Sequence, residues 1–328
     1  MSHLRTGAMD AGLRLQEILV KSAKLKLFGK SPAGFYLRLN KPIWEIIPSR
    51  LRNIYPVRAY GNLLHGLARV VSIRQQYFGT FFLRNRPALE LLRSLADQKS
   101  EGSTLRVAVL ACSIGAEVYS ILWTLRSARP DLKIALCAVD ISEEMLRFAQ
   151  AGIYTSNTSE RVGSPIFERL NTYEMGQLFD LEDQCARIKP WLREGITWQL
   201  GDAASPELID TLGPQDIVVA NNFLCHMDPP AAENCLRNLT KLVDVGGYLF
   251  VSGVDLDVRT RVARELGWRP VSELLEQIHD GDASVRAGWP WCSWGLEPLD
   301  RNKSDWRLRY ASVFQIGEQQ FSGTQELL

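Results

Sequence analysis

The chain has 328 residues, 46% of them hydrophobic and 23% charged, with 24 Gly, 15 Pro and 6 Cys. That composition excludes a disordered chain, a collagen-like repeat and a small disulfide scaffold. The net charge of +1 conceals a division: residues 1–106 carry 18 Lys/Arg against 6 Asp/Glu, and the remainder carries 20 against 31. A basic first third suits an acidic protein or carrier domain, a nucleic acid or a membrane surface. It equally suits a solvated basic face drawn to the acidic remainder.

In chain order, Met1 to Ala11 is polar and lacks the apolar core of a leader, and no apolar run reaches the length of a bilayer span. Residues 12–28 read as a basic amphipathic helix, with Leu15, Ile18, Leu19 and Ala23 at helical spacing. Turn formers occupy Lys30 to Pro42, and Pro48 and Pro56 interrupt the stretch beyond it. Helices are expected over 57–76 and 86–98, completing a mainly helical, basic region of residues 1–100. From Leu105 the rhythm becomes α/β. Strands are expected at 105–111, 132–139, 196–200, 216–220 and 248–252. Helices are expected at 117–127, from Ser142, at 231–242 with Gly246 and Gly247 ending it, and at 259–266. Residues 155–195 form a less regular insertion, and Trp306 to Ile316 suits an antiparallel strand closing one edge. The pattern predicts an α/β fold for residues 101–328, with a mostly parallel sheet covered by helices on both faces. A Trp-rich C-terminal extension completes it. The six cysteines, Cys112, Cys137, Cys185, Cys225, Cys235 and Cys292, form no CxxC pair. They read as reduced thiols of a cytoplasmic protein, with no clustered ligands for a metal.

Four strand ends carry polar or small residues. After the first, Ala111, Ser113 and Gly115 recur at every second position, so the backbone can approach a ligand. The second ends in Asp140-Ile141, where a carboxylate can take ribose hydroxyls or cap the next helix. The third is followed by Gly201-Asp202, within reach of an adenine amino group. The fourth runs into Asn221-Asn222-Phe223-Leu224-Cys225-His226. Successive strand ends of a parallel sheet converge on one crevice. The full GxGxxG fingerprint and a Walker A loop are both absent.

These residues resemble the CheR-type methyltransferases, class I S-adenosylmethionine-dependent enzymes with a Rossmann-like sheet. Ala111 to Ser120 is similar to their A-C-S-T-G-E-E-P-Y-S signature. Asp140-Ile141 with Ala149 to Tyr154 resembles their D-I-D…A-x-x-G-I-Y segment, and Thr80 to Asn85 their T-x-F-F-R-E element. Asn221 to Leu224 is similar to R-N-V-L, and Gly246 to Phe250 to D-G-L-L-F. The resemblance covers residues 75–255. It implies that Glu117 holds the amino group of the cofactor's methionine part, Arg84 its carboxylate and Asp140 its ribose. It places Asp202 near the adenine and Asn222 near the methyl group.

Two departures sit beside the acceptor site. Asn221 replaces the family's Arg, and Cys225-His226 replaces Ile-Tyr. A carboxylate acceptor needs no base, whereas a hydroxyl, phenol or protonated amine does. His226 is the candidate base, with a hydrogen-bonded role under the cofactor floor as the other reading. Asp255 either binds a cationic acceptor or belongs to a helix start, and Asp257 suits capping. Trp291 and Trp294, with Trp289, suit an aromatic wall or core packing. Tyr77 suits a lid over the cleft or the core. The departures point to a small molecule or specialised metabolite as acceptor. The alternatives are a protein methyltransferase acting on side-chain carboxylates and a non-catalytic cofactor-binding module. Nothing in the sequence marks a nucleic-acid-binding element.

Overall fold

The apolar run Val107–Leu110 lies in an interior strand of a seven-stranded sheet in the computed structural model. The structure describes residues 32–317, apart from positions 73, 75, 156, 160–162, 164, 283–287 and 292–296. The basic helix expected over 12–28, Cys292 and Trp294 lie outside the described residues.

Strands β1 (Thr104–Leu110), β2 (Lys133–Asp140), β6 (Ile196–Leu200), β7 (Gln215–Asn221), β8 (Val243–Ser252), β9 (Arg269–Pro270) and β10 (Val313–Gln315) take the order β6-β2-β1-β7-β8-β10-β9. The first five pair in parallel, and β10 runs antiparallel to β8 and β9. Val107 to Leu110 are wholly buried, as a parallel strand with helices on both faces requires. Val107, Val109 and Leu110 each contribute about 1.5–3 kcal/mol of transfer free energy. The strand order reverses between β1 and β7. Loops leaving their C-terminal ends diverge there and leave a crevice.

The chain forms two compact units, one from the described parts of residues 1–75 and 283–298, the other from those of 76–282 and 299–328. The boundary expected near residue 100 therefore falls earlier. The reason is α3 (Arg86–Ala96), whose Leu91, Leu92, Leu95 and Ala96 are buried in the core of the sheet. In the helical unit, α1 (Pro32–Ile46) and α2 (Tyr55–Val71) pack through Leu37, Trp44, Leu64 and Leu67. A helix thus occupies residues 32–42, the described part of the Lys30–Pro42 stretch of turn formers. Pro32 stands at its first turn, where the missing N–H costs nothing, and burial of Leu37 and Trp44 outweighs Pro42 in its interior. Trp289 meets Trp44 edge to face at 5.2 Å, and Trp291 packs on the same cluster.

In the sheet unit, helices α4 (Ala116–Ala128), α5 (Glu143–Ala151), α7 (Pro229–Leu242) and α8 (Leu256–Glu265) come after their strands. The Ser142 hydroxyl caps α5 by accepting from the Met145 N–H. The insertion is more regular than expected. Strands β3 (Ile153–Thr155), β4 (Phe179–Glu182) and β5 (Cys185–Ile188) form a small antiparallel sheet, with α6 (Thr172–Leu178) entering it through an Asn171–Glu174 capping box. Gly246 and Gly247 do not end α7. They lie in β8, in an irregularity where the register passes from Gln215↔Val243 to Ile217↔Tyr248. The helix α9 (Leu275–Asp280) comes after β9, and Trp306–Tyr310 is the short helix α10 rather than a strand. Wholly buried Tyr310 faces the core there, and only Val313–Gln315 extends the sheet.

Phe82 ties the insertion to the sheet. It meets Tyr154 at 5.1 Å and Phe179 at 5.0 Å edge to face, and stacks on Phe167 at 5.9 Å. Phe82→Ala is therefore expected to lower the unfolding free energy by about 3–5 kcal/mol, measured by urea denaturation.

Candidate active site

The C-terminal ends of β1, β2, β6 and β7 surround one cleft of about 370 Å³, within the range of small-ligand sites. Asp140 forms its hinge. This carboxylate is 3% exposed. One oxygen accepts the Ser113 N–H at 2.7 Å and the other accepts the Ser142 N–H at 2.9 Å. Burial nonetheless leaves its pKa above the ordinary carboxylate value, against the lowering pull of the backbone N–H groups. A carboxylate has about four acceptor sites, so two backbone bonds leave room for ligand hydroxyls.

The loop after β1 reaches the cleft through backbone strain. Ala111 and Ser113 adopt φ of 53° and 50°, the left-handed region that side chains disfavour. The Ser113 hydroxyl donates to the Phe78 carbonyl at 2.8 Å and ties the loop to the strap of residues 76–85. Gly115 is buried at the start of α4 with φ of 83°, where a Cβ would stand 3.0 Å from that of Ala149. It supplies the turn rather than a wall of the cleft.

Glu117, in the first turn of α4, lines the cleft beside Asn221. The Asn221 carboxamide donates to Glu117 Oε1 at 2.8 Å and accepts from the Ser252 hydroxyl at 2.8 Å. Burial raises the Glu117 pKa, while the Asn221 hydrogen bond and the nearby Arg84 charge work against it. A neutral amide at this place satisfies the carboxylate without cancelling its charge. Asn222 stands next to it with φ of 62°. Gly253 makes this possible, since a Cβ there would stand 2.6 Å from Asn222 Cα.

Arg84, Tyr77, Ile141, Asp202 and His226 line the same cleft. The Tyr77 hydroxyl donates to the Gly163 carbonyl at 2.7 Å. Asp202 is exposed and accepts the Ala204 N–H at 2.8 Å. His226 ends a 3-10 turn, Leu224–His226, just past β7. The structure thus gathers the four strand ends into one place.

Two expected substrate residues lie elsewhere. Asp255 is 2% exposed at the N-terminus of α8, where its carbonyl accepts the Arg259 N–H, and it does not line the cleft. It takes the helix-start position expected of Asp257, which instead pairs with Arg309 at 2.8 Å. Trp291 belongs to the apolar cluster of the helical unit and not to the cleft lining. Sequence reasoning also missed contributors. Phe223, Met227 and Phe250 supply apolar wall, and the Ser120 hydroxyl accepts the Leu83 N–H at 2.9 Å to hold the strap. Ser120 lies in the signature segment after β1, so its position carried a signal; the apolar three do not stand out from core residues. Among the described residues no group of His, Cys, Asp and Glu is placed to hold a metal ion. No helix among them is long and apolar enough to cross a membrane.

The profile of the CheR methyltransferase SAM binding domain matches residues 79–258. An uncharacterized 104.1 kDa protein of Rhodobacter capsulatus is 26% identical over 262 residues, covering 76% of this chain and 26% of that protein. A probable biofilm formation methyltransferase of Pseudomonas aeruginosa is 27% identical over 214 residues, covering 64% of this chain and 47% of that protein. Chemotaxis protein methyltransferase 2 of Vibrio cholerae is 22% identical over 201 residues, covering 59% of this chain and 66% of that protein. The chain therefore spans half or less of the length of the first two relatives.

This geometry generates two expectations. Gly253→Ala is expected to displace Asn222, lowering stability by about 1–3 kcal/mol and weakening S-adenosylhomocysteine binding in calorimetric titration. A carboxylate at the place of Glu117 can hold a ligand ammonium only when ionised. Affinity for S-adenosylhomocysteine should fall as pH drops through its raised pKa, over a window above the usual range of glutamate. In Glu117→Gln the part of that pH dependence due to Glu117 should vanish, leaving only the part due to Asp140, with affinity at neutral pH reduced about tenfold.

Proposed function

Because the chain belongs to the CheR methyltransferase family, we propose that it transfers a methyl group from S-adenosylmethionine to a side-chain carboxylate of a protein. The observation that carries this reading is the matched span itself. Residues 79–258 contain β1, β2, β6 and β7 with the loops that meet at the cleft. The lining suits the cofactor: a buried diol acceptor in Asp140, an uncancelled carboxylate in Glu117 and a guanidinium in Arg84. The names of the chemotaxis and biofilm relatives support methyl transfer in signalling proteins, and the basic first third supports an acidic protein as acceptor.

When bound, S-adenosylmethionine supplies an electrophilic sulfonium methyl, open to in-line displacement. The protein has to align and to exclude water. Glu117 would bind the ammonium and Arg84 the carboxylate of the methionine part, fixing its two ends. Asp140 would accept from the ribose hydroxyls, and Asp202 would serve the adenine. Phe223, Met227 and Phe250 present apolar surface that sheds water from the cleft. Asn222 and His226 stand on the acceptor side with Tyr77. A carboxylate acceptor arrives ionised and needs no proton removed, so His226 then binds or orients it.

A second reading keeps the small-molecule acceptor. Its support is His226 on the cleft lining where the family has Tyr, together with Asn221 in place of Arg. In that case His226 takes the proton of a hydroxyl or amine.

The two readings separate by product chemistry. With methyl-tritiated S-adenosylmethionine and acidic proteins, a carboxyl methyl ester releases volatile tritiated methanol in alkali. We expect that release, and expect His226→Ala to keep turnover at neutral pH within about tenfold. Base-stable label on a small hydroxyl or amine acceptor, lost about a hundredfold or more in His226→Ala, would replace the carboxylate reading.

A further inference from the structure

Arg84 is not held by its own strap alone. Its Nε donates to Asp282 Oδ2 at 2.5 Å, while Asp282 Oδ1 accepts from Arg169 Nη2 at 3.1 Å. The three side chains are 14%, 11% and 18% exposed. The Phe81 ring lies 5.3 Å from the Arg84 guanidinium carbon and 4.9 Å from that of Arg169, so both cations share one aromatic neighbour. Arg169 also donates to the Arg84 carbonyl. One residue on, the Asn85 amide donates to the Ile278 carbonyl at 2.9 Å. Gly281 backs it closely, since a Cβ there would stand 2.5 Å from Asn85 Oδ1. The C-terminal end of α9 and the two residues after it therefore clamp Arg84 and Asn85.

The family match ends at residue 258, so Ile278, Gly281 and Asp282 come from outside it. A guanidinium carries five N–H donors. Asp282 takes one of those on Arg84, and the others have no hydrogen-bond acceptor among the described residues. An arginine side chain free to rotate loses that freedom when it grips a ligand. One already fixed by a buried carboxylate does not.

We infer that Asp282 is a positioning residue that orients Arg84 toward the carboxylate at the amino-acid end of the cofactor. The inference rests on the role of Arg84 in the proposed function. Asp282 touches no reacting atom. It makes recognition of that carboxylate depend on a segment beyond the family's cofactor domain.

The test is calorimetric binding of two probes, S-adenosylhomocysteine and its decarboxylated analogue, to the full chain, Asp282→Asn and Asp282→Glu. The unaltered protein should prefer S-adenosylhomocysteine, and Arg84→Ala should abolish that preference. If the unaltered protein binds both probes alike, the role of Arg84 fails and the inference falls with it. If the preference exists, Asp282→Asn should shrink it about tenfold, leaving affinity for the decarboxylated analogue within about twofold. Asp282→Glu should restore part of it. Equal weakening of both probes by Asp282→Asn would mean a general structural role and overturn the inference. An unchanged preference would overturn it as well.

Discussion

The site depends on one buried carboxylate at the end of β2. Asp140 accepts an N–H from the loop after β1 and another from the start of α5. The first loop leaves β1, which borders the reversal of the strand order, and the second leaves β2, its parallel neighbour, so Asp140 carries the pairing of the two strands past their C-terminal ends. A charge this deeply buried is tolerated only while it is hydrogen-bonded. The two N–H groups meet that condition and leave further lone pairs for a ligand. The same residue is thus the brace of the crevice and a polar group inside it.

The rest of the cleft is arranged around that brace by residues held in costly conformations. Ala111, Ser113 and Asn222 all line the cleft and all have positive φ. Backbone strain of this sort persists only where packing over-determines it. The packing is identifiable. Gly253 admits Asn222, Gly115 admits the start of α4, and the Ser113 hydroxyl is tied to the strap through Phe78. The strap is in turn held by Ser120 and by the aromatic cluster of Phe82, Tyr154, Phe167 and Phe179. Tyr154 closes the circuit, since its hydroxyl donates to the Ile114 carbonyl at 2.7 Å. The small antiparallel sheet is therefore part of what fixes the loop after β1.

The parallel strands were legible in the sequence because apolar runs such as Val107–Leu110 and Ile217–Ala220 lead into small or polar residues. The place of Asp140, Glu117 and Arg84 on the cleft was legible because matched motifs surround them. The illegible features have physical reasons. Burial of Leu37 and Trp44 makes α1 helical despite Pro42, and only the fold reveals that burial. Trp306 to Tyr310 alternates enough to read as a strand, yet Tyr310 packs as part of a helix. Asp255 stands after the last long parallel strand like a ligand group, but that position is the buried start of α8. Asp282 carries no local pattern at all. Its contact with Arg84 spans 198 residues, which no periodicity or motif can express.

The most direct measurement is titration of the purified chain with S-adenosylhomocysteine, repeated on Asp140→Ala. A cleft built around Asp140 predicts one saturable site in the unaltered protein and its loss in the variant, with the variant still cooperatively folded by thermal melting. Absence of binding to the unaltered chain, or equal affinity in the folded variant, would contradict the account.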